Sequence, residues 1–245
     1  MMFSADENVD AAFQAMDELE RLSDPVAIVD RLARHLSRYG FEAFLVTGLP
    51  VQRERLEPYI LLNGWPERWY ARYMQANHYR NDPCVRNCFA SIEPFGWDEL
   101  PAPLLADPAA AIVMGEAASF GLRQGLCVPL HDAYGFQAVV TMAGDRIELP
   151  PRARRLVHLL SLYAYGSAER ASRALTGRSQ DRLSERECEV LRWTASGKTS
   201  WEVGQILTIS EDTVRDHLKN VRRKLRTANN VHSVVEAMRR REIRL

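Results

Sequence analysis

The sequence contains no apolar run that approaches the ~20 residues of a membrane-spanning helix. Cysteine is scarce: Cys84 and Cys88 lie four positions apart, but neither Cys127 nor Cys188 supplies the second pair of a zinc pattern. The acidic N-terminus lacks a basic-then-apolar signal pattern, which predicts a cytoplasmic protein without membrane association. Disulfides are rare in that compartment, so we expect buried thiols and no metal site.

Lysine is nearly absent, and its three residues all lie near the C-terminus. From Arg178 onward, 15 Arg and Lys face 10 Asp and Glu, whereas the preceding 177 residues hold 17 against 22. The formal net charge of zero therefore hides an acidic front part and a basic C-terminal part. Length and charge together predict two domains, of which the basic one suits an approach to phosphate.

Helix signals follow one another in the basic part. Ser184 with Glu187 forms a capping box, and Thr199 with Glu202 forms a second one. Gly197 lies between them, where a left-handed residue can end the first helix. The second helix is short and is expected to bury three apolar side chains, those of Val203, Ile206 and Leu207.

A third helix is predicted from Ser210, with two acidic residues in its first turn. Its apolar residues recur at intervals of four, three and four and predict one buried face: Val214, Leu218, Val221 and Leu225. Arg215 and Lys219 point elsewhere. On an isolated helix, these two residues would indicate only a solvated charged face. Because a short helix and a turn precede this helix, they indicate instead a helix that reads the DNA groove. A fourth helix from about Asn230 is expected to pack Val231, Val234, Val235 and Met238.

This segment resembles the DNA-binding domain of LuxR-type regulators, a four-helix variant of the helix-turn-helix. It departs at Gly204 and Asn230, where alanine and arginine are more common. The resemblance places Arg215 and Lys219 at base-contacting positions, with phosphate contacts from other basic residues; the remaining DNA-binding candidates are Thr213, His217, Arg222 and Lys198. The matching residues are Leu183, Glu187, Leu191, Gly197, Lys198, Thr213, Val214, His217, Asn220, Lys224 and Leu225.

Many LuxR-type domains follow a phosphorylatable receiver, which needs a lysine that this front part lacks. Periodicity instead predicts helices over 9–22, 25–39, 66–78, 109–119 and 152–174, and strands over 43–49, 58–62, 126–131 and 136–143. The residues DAYG (132–135) suit a hairpin turn between the last two strands. We therefore expect an α+β fold: an N-terminal α/β/α sandwich with an antiparallel sheet, then an all-α four-helix domain.

Trp65, Trp69 and Tyr73 recur every four residues and so share one helix face. Asp82 follows nine residues after Tyr73, and Trp97 fifteen after Asp82. An aromatic core stripe with a capping aspartate is one interpretation of these residues. A ligand pocket is the other.

The spacing resembles the acyl-homoserine-lactone-binding domain of quorum-sensing regulators, and the resemblance covers most of the chain from about Phe41. It implies that the Trp69 indole N–H binds the lactone carbonyl. Asp82 would accept from the ligand amide, Tyr73 would donate to the acyl carbonyl, and Trp97 would pack on the lactone ring. Later strand positions that would line the pocket are Gly125, Cys127 and Thr141.

Trp65 stands where many members of the family have tyrosine, and this form resembles a subgroup with aryl or branched acyl ligands. The sequence thus predicts a quorum-sensing regulator that binds a lactone effector, uses no cofactor, and binds a near-palindromic DNA site as a homodimer. The expected domains are a sensor and dimerisation domain over 1–174, a linker over 175–182, and a DNA-binding domain over 183–245.

Three further questions stay open at this stage. The stripe of Leu156, Leu160 and Tyr163 fits either a dimer contact or a cover for the sheet. A ligand-independent regulator and an inactive antiactivator of the same family are alternatives to a lactone sensor. An enzyme is not expected, because no nucleophile elbow, phosphate loop or metal pair accompanies Asp82. The acyl group and the sign of the response are not encoded in any motif.

Overall fold

A computed structural model gives the structure of the chain and describes residues 5–50, 55–132, 135–175, 182–240 and 242–243. The chain divides into two compact units, Met1–Leu175 and Thr176–Leu245. Most of the expected linker and the middle of the DAYG turn lie outside the described residues.

The first unit is built on a five-stranded antiparallel sheet in the order β2-β1-β5-β4-β3. This confirms the predicted sandwich with an antiparallel sheet. The strands are β1 (Ala43–Thr47), β2 (Ile60–Gly64), β3 (Phe95–Gly96), β4 (Gln124–Asp132) and β5 (Gly135–Gly144). The helices are α1 (Ala5–Arg21), α2 (Pro25–Leu36), α3 (Glu67–Ala76), α4 (Pro83–Cys88), α5 (Ala102–Leu105), α6 (Pro108–Ser119) and α7 (Pro151–Leu175).

The central strands are covered on both faces, and residue parity decides which face each side chain joins. In β1, Phe44 and Val46 enter the core formed with α1, α2 and α7, whereas Leu45 and Thr47 face a cavity on the other side of the sheet. In β5, Val140 and Met142 join the same core, and Val139, Thr141 and Ala143 face the cavity. The sheet thus forms one wall of the cavity.

Three of the helices begin with the same dipeptide, Asp-Pro. Asp24, Asp82 and Asp107 each accept a hydrogen bond from a backbone N–H in the first turn, and the proline that follows stands at the first helical position. These caps fix the starts of α2, α4 and α6. The last two of these helices carry residues that line the cavity.

The long helix α7 covers the sheet. Leu160 is buried, and Leu156 packs against the same core, so of the two interpretations left open for the stripe, these two residues support the cover for the sheet. Tyr163 remains 37% exposed, and the other exposed apolar side chains beside it are those of Leu159 and Leu162. The exposed apolar face of α7 is therefore rotated from the predicted one.

The second unit contains α8 (Glu185–Ala195), α9 (Ser200–Leu207), α10 (Glu211–Leu225) and α11 (Asn230–Arg239). Both predicted capping boxes are present, and Gly197 adopts φ 82° after α8. The four apolar residues predicted for α10 are all buried. They form the core of this unit with Val190, Leu191 and Val203.

Two burial predictions in this unit are wrong. Ile206 is 42% exposed, whereas α9 meets the turn that follows it at Gly204, where an added Cβ would lie 2.8 Å from the carbonyl oxygen of Ile209. In α11, three of the four predicted core residues are exposed: Val231, Val235 and Met238. The buried face is made by Ser233, Ala237 and the half-buried Val234, since small side chains let α11 approach its neighbours closely.

Candidate ligand cavity and DNA-binding surface

A cavity lies in the first unit between the sheet and the helices α3, α4 and α6, and it encloses about 620 Å³ of space free of protein atoms, including its opening. The volume inside it that the centres of water-sized molecules can occupy is about 40 Å³. Seven of the eight residues predicted for the pocket line it: Trp65, Trp69, Tyr73, Asp82, Trp97, Cys127 and Thr141. Apolar side chains complete most of the remaining lining, among them Leu45, Leu49, Leu56, Val113, Met114 and Leu122.

Helix α3 supplies an aromatic wall. The ring centroids of Trp65 and Tyr73 lie 4.8 Å apart at 71°, and those of Trp69 and Tyr73 lie 5.5 Å apart at 67°. These edge-to-face contacts are favourable because the positive edge of one ring meets the negative face of the other. Trp69 and Tyr73 are buried, whereas Trp65 precedes the first residue of α3 by two positions, so it lies outside the predicted helix face, and it keeps partial exposure. The stripe is thus both core and cavity wall.

Asp82 and Tyr73 form a polar pair in this apolar lining. The Tyr73 hydroxyl donates to Oδ2 of Asp82 at 2.7 Å, and the backbone N–H of Cys84 donates to Oδ1 at 2.8 Å. Asp82 keeps some accessible surface because it faces the cavity, yet burial raises the pKa of its carboxyl, and the Tyr73 hydrogen bond opposes that rise. Burial and the nearby carboxyl raise the pKa of Tyr73 well above its usual value, so the phenol keeps its proton.

Trp97 lies against the strand that carries Gly125. A Cβ built on Gly125 would lie 2.3 Å from the Trp97 indole, so only glycine leaves room for the ring. Gly125 therefore supports Trp97 and does not itself line the cavity, contrary to the prediction. The Trp97 Nε1 atom is buried near the Cys127 sulfur and makes no well-formed hydrogen bond among the described residues, which leaves a donor available beside the cavity.

Two further lining residues were predicted only as buried thiols. Cys84 and Cys88, one turn apart on α4, meet Cys127 of β4, whose thiol also donates to Oγ1 of Thr141 at 3.5 Å. Contact with Cys127, together with burial, raises the pKa values of the Cys84 and Cys88 thiols. The hydrogen bonds from Cys84 and Cys88 lower the pKa of Cys127, while the two α4 thiols stay protonated and give this end of the cavity a soft, weakly polar surface.

In the second unit, α10 presents the predicted recognition face. Thr213, Arg215 and Lys219 are exposed, and His217 is half-buried. Arg215 forms ion pairs within its own helix, to Glu211 at 2.5 Å and to Asp212 at 3.5 Å. Exposed pairs of this kind contribute little, about 0–1 kcal/mol, so they leave the guanidinium available to another partner.

Two other basic residues predicted to bind DNA, Lys198 and Arg222, differ in exposure and in how firmly neighbouring side chains hold them. Lys198 is exposed, and its Nζ lies 3.5 Å from Glu202. Arg222 is half-buried and donates to Oδ1 of Asn230 at 2.6 Å, which ties α10 to α11 at one of the positions where the chain departs from the LuxR pattern.

Lys224 has a structural role. Its Nζ lies 2.6 Å from Oε2 of Glu187, and the two side chains are 16% and 6% exposed. Burial would raise the pKa of Glu187, but hydrogen bonds from Lys224 and Ser184 outweigh it, and the pKa is lowered.

Metal-ligating side chains do not gather anywhere in the described part of the chain in a group of three or more that could hold an ion. No helix among the described residues is both long and apolar enough to cross a membrane.

An apolar, aromatic cavity with few polar groups, joined in one chain to a helix-turn-helix, defines a ligand-responsive transcriptional regulator. Residues 24–168 match the autoinducer binding domain, and residues 181–237 match the family described as bacterial regulatory proteins, luxR family. The chain belongs to the LuxR family and is a quorum-sensing transcriptional regulator with an autoinducer-binding and a DNA-binding domain.

Two relatives agree with this assignment, and a solved structure has a similar fold. The chain is 40% identical over 234 residues to the quorum sensing-dependent regulator RpaR of Rhodopseudomonas palustris, covering 96% of this chain and 95% of that one. It is 37% identical over 238 residues to the transcriptional activator BjaR1 of Bradyrhizobium diazoefficiens, covering 96% and 98%. The fold is similar to that of SdiA in complex with octanoyl-rac-glycerol, with a TM-score of 0.76 at 22% identity over 97% of this chain and 96% of that one.

Proposed function

We propose that the cavity binds an N-acyl homoserine lactone with an aryl or branched acyl group. The observation that carries this proposal is the Asp82–Tyr73 pair in an otherwise apolar, aromatic lining. A ligand that has an amide N–H beside a carbonyl can exchange with this pair: the N–H donates to Asp82, and the carbonyl accepts from Tyr73. The exchange replaces one internal hydrogen bond with two to the ligand.

The remaining polar groups suit the lactone ring. The Trp69 indole N–H is proposed to donate to the lactone carbonyl, and Trp97 packs on the ring, with its unpartnered Nε1 as a further donor. Trp65 takes up space where a tyrosine hydroxyl would bind an acyl group. Cys127, Thr141 and the two α4 thiols then meet the acyl group, and sulfur contacts with an aryl ring are favourable.

The test is a thermal-shift panel with N-hexanoyl, N-isobutanoyl and N-benzoyl homoserine lactones on the purified protein. A ligand that binds only the folded state, at a free concentration 100 times its Kd, adds about 2.7 kcal/mol to the free energy of unfolding, which is measurable as a rise in Tm. The rise should be lost in Tyr73→Phe. If no lactone shifts the Tm of the folded protein, the lactone proposal fails and the ligand-independent regulator replaces it.

We also propose that the protein acts as a homodimer on a near-palindromic DNA site in the cytoplasm, where the DNA lies. The exposed side chains of Leu159, Leu162 and Tyr163 on α7 are the proposed dimer contact of the first unit. Leu159→Glu should then raise the dimer dissociation constant in analytical ultracentrifugation, and the exposed Val26→Glu on α2 is the control. Equal dissociation constants for the two variants would rule out this contact.

Arg215 and Lys219 are the proposed base contacts, and Thr213, His217, Arg222 and Lys198 complete the proposed DNA surface. Arg215→Ala should cost about 1–3 kcal/mol on the preferred site and reduce discrimination between sites. Lys198→Ala should weaken binding to all sequences equally and reduce the salt dependence. An antiactivator predicts instead that the wild-type protein binds no DNA site.

A further inference from the structure

Behind the aromatic wall, Glu116 of α6 holds two parts of the segment that carries Tyr73. Arg72 in α3 donates to both carboxylate oxygens, from Nη2 to Oε1 at 2.5 Å and from Nε to Oε2 at 2.6 Å, and Oε2 also lies 2.8 Å from Nε2 of His78. The Arg72 side chain is 44% exposed, so solvent weakens its contact, whereas His78 is only 7% exposed. The bond from His78 is the one that leads from this carboxylate to the rings of the cavity wall.

The His78 ring continues from this bond into the aromatic wall. Its centroid lies 6.0 Å from that of Trp69, with the planes at 26°, and 5.6 Å from that of Tyr73, edge-on at 69°. Neither His78 nor Glu116 lines the cavity. Their contact with the site thus passes through the two rings that do.

The chain turns sharply where His78 stands. Asn77 ends α3 in the left-handed region at φ 53°, and the short turn that follows leads to Asp82. Tyr73 precedes this turn and Asp82 follows it, so the turn's geometry sets the distance between the two polar groups of the cavity. Because a left-handed asparagine is strained relative to the same residue in a helix, the turn needs contacts that hold it.

We propose that Glu116 and His78 are positioning residues for the ligand cavity: the carboxylate fixes the His78 ring, and the ring holds Trp69 and Tyr73 in the orientation that the ligand's polar head requires. This inference rests on the proposed lactone-binding function. Hydrogen bonds from Arg72 and His78 lower the pKa of Glu116 to about 2, so its carboxylate is charged at neutral pH and the bond to His78 is charge-assisted. Sites supported in this way lose affinity when the supporting bond is removed.

The test compares Glu116→Gln with a matched control, Glu18→Gln. Glu18 also accepts from an arginine and a histidine, Arg31 at 2.5 Å and His35 at 3.4 Å, but it belongs to α1, whose core lies on the face of the sheet opposite the cavity. Affinity is measured by calorimetry with whichever N-acyl homoserine lactone of the panel shifts the wild-type Tm most. Near-ultraviolet circular dichroism of the unliganded variants reports the packing of the aromatic rings.

Glu116→Gln should weaken lactone binding at least tenfold, or about 1.4 kcal/mol, and change the aromatic dichroism, while Glu18→Gln changes the affinity less than twofold. His78→Gln should have the same effect, and the double variant should bind no more weakly than either single one, because both act through the same ring. Full affinity in folded Glu116→Gln, or an equal loss in Glu18→Gln, would overturn the inference.

If the wild-type protein binds no lactone, the proposed function fails, but the inference that Glu116 and His78 position the aromatic rings can still be tested. In that case the dichroism decides alone: an aromatic spectrum changed in Glu116→Gln and unchanged in Glu18→Gln supports the positioning role. An unchanged spectrum in both variants rejects it.

Discussion

Replacing Asp82 with alanine removes two hydrogen bonds whose effects can be separated. Loss of the cap on α4, where Oδ1 accepts from Cys84, costs about 1 kcal/mol. Loss of Oδ2 leaves the buried Tyr73 hydroxyl without its acceptor, which costs about 1–3 kcal/mol. Removing a carboxyl whose burial is unfavourable returns part of this. We expect Asp82→Ala to lower the free energy of unfolding by about 1–3 kcal/mol and to abolish the lactone-induced rise in Tm.

Asp24→Ala is the matched control, because Asp24 also precedes proline and caps a helix through Oδ2, at 3.0 Å from the Ala27 nitrogen, but on an exposed surface. It should cost about 1 kcal/mol and leave the ligand response intact. The double variant Asp82→Ala/Tyr73→Phe should be more stable than the sum of its single variants predicts, since removing both partners leaves no orphaned donor. Urea unfolding gives the free energy of unfolding of the wild type and of the four variants, Tyr73→Phe included. Equal losses for Asp82→Ala and Asp24→Ala, with the ligand response kept in both, would refute the reasoning.

Three further outcomes are expected. Gly125→Ala should lower the free energy of unfolding by about 1–3 kcal/mol and weaken ligand binding, because the new methyl group collides with the indole packed on it; unchanged calorimetric affinity would contradict this. Lys224→Ala should destabilise the second unit by about 3 kcal/mol or more, because it leaves the buried Glu187 carboxylate without its ion-pair partner. A urea titration in which the double variant Glu187→Gln/Lys224→Met is no more stable than Lys224→Ala would contradict this. The hydrogen bonds from Arg154 lower the pKa of the Glu99 carboxyl from 4.5 to about 2, so this ion pair stabilises the fold above about pH 4.5 and its contribution is lost as the pH falls toward 2. Between pH 6 and pH 2 the Tm should therefore fall less steeply in Glu99→Gln than in the wild type.

The sequence predicted α10 fully, because every determinant of that helix is local or periodic. Ser210 caps its start, and the spacing of its apolar residues matches one helical face that packs against a single set of neighbours. The aromatic wall was predictable for the same reason. For the strands, only the resemblance pointed to Cys127 and Thr141; the pairing of β4 with β5, which places the two side chains on one face, is not encoded in either strand alone.

The errors arise where packing overrides hydrophobicity. In α11, Ser233 and Ala237 are buried while Val231 and Val235 are exposed, because the approach of neighbouring helices selects small side chains. No periodic pattern of apolar residues carries that information. The start of β2 was predicted two residues too early, since Glu57–Tyr59 form a short 3-10 turn before Ile60. The role of Cys84 in the cavity depends on the approach of α4 to β4, a contact between residues far apart in sequence.

The three Asp-Pro caps show how one local motif acquires different roles. Asp24, Asp82 and Asp107 make nearly the same cap, so the local sequence gives each the same weight. The surroundings differ: Asp24 is exposed, Asp107 pairs with Arg86 near the surface, and only Asp82 has a buried tyrosine hydroxyl on its second oxygen. Because that oxygen faces an apolar cavity, a ligand N–H that reaches it meets little competition from water. The cap holds the carboxylate in place through one oxygen, and the other is thereby preorganised for the ligand.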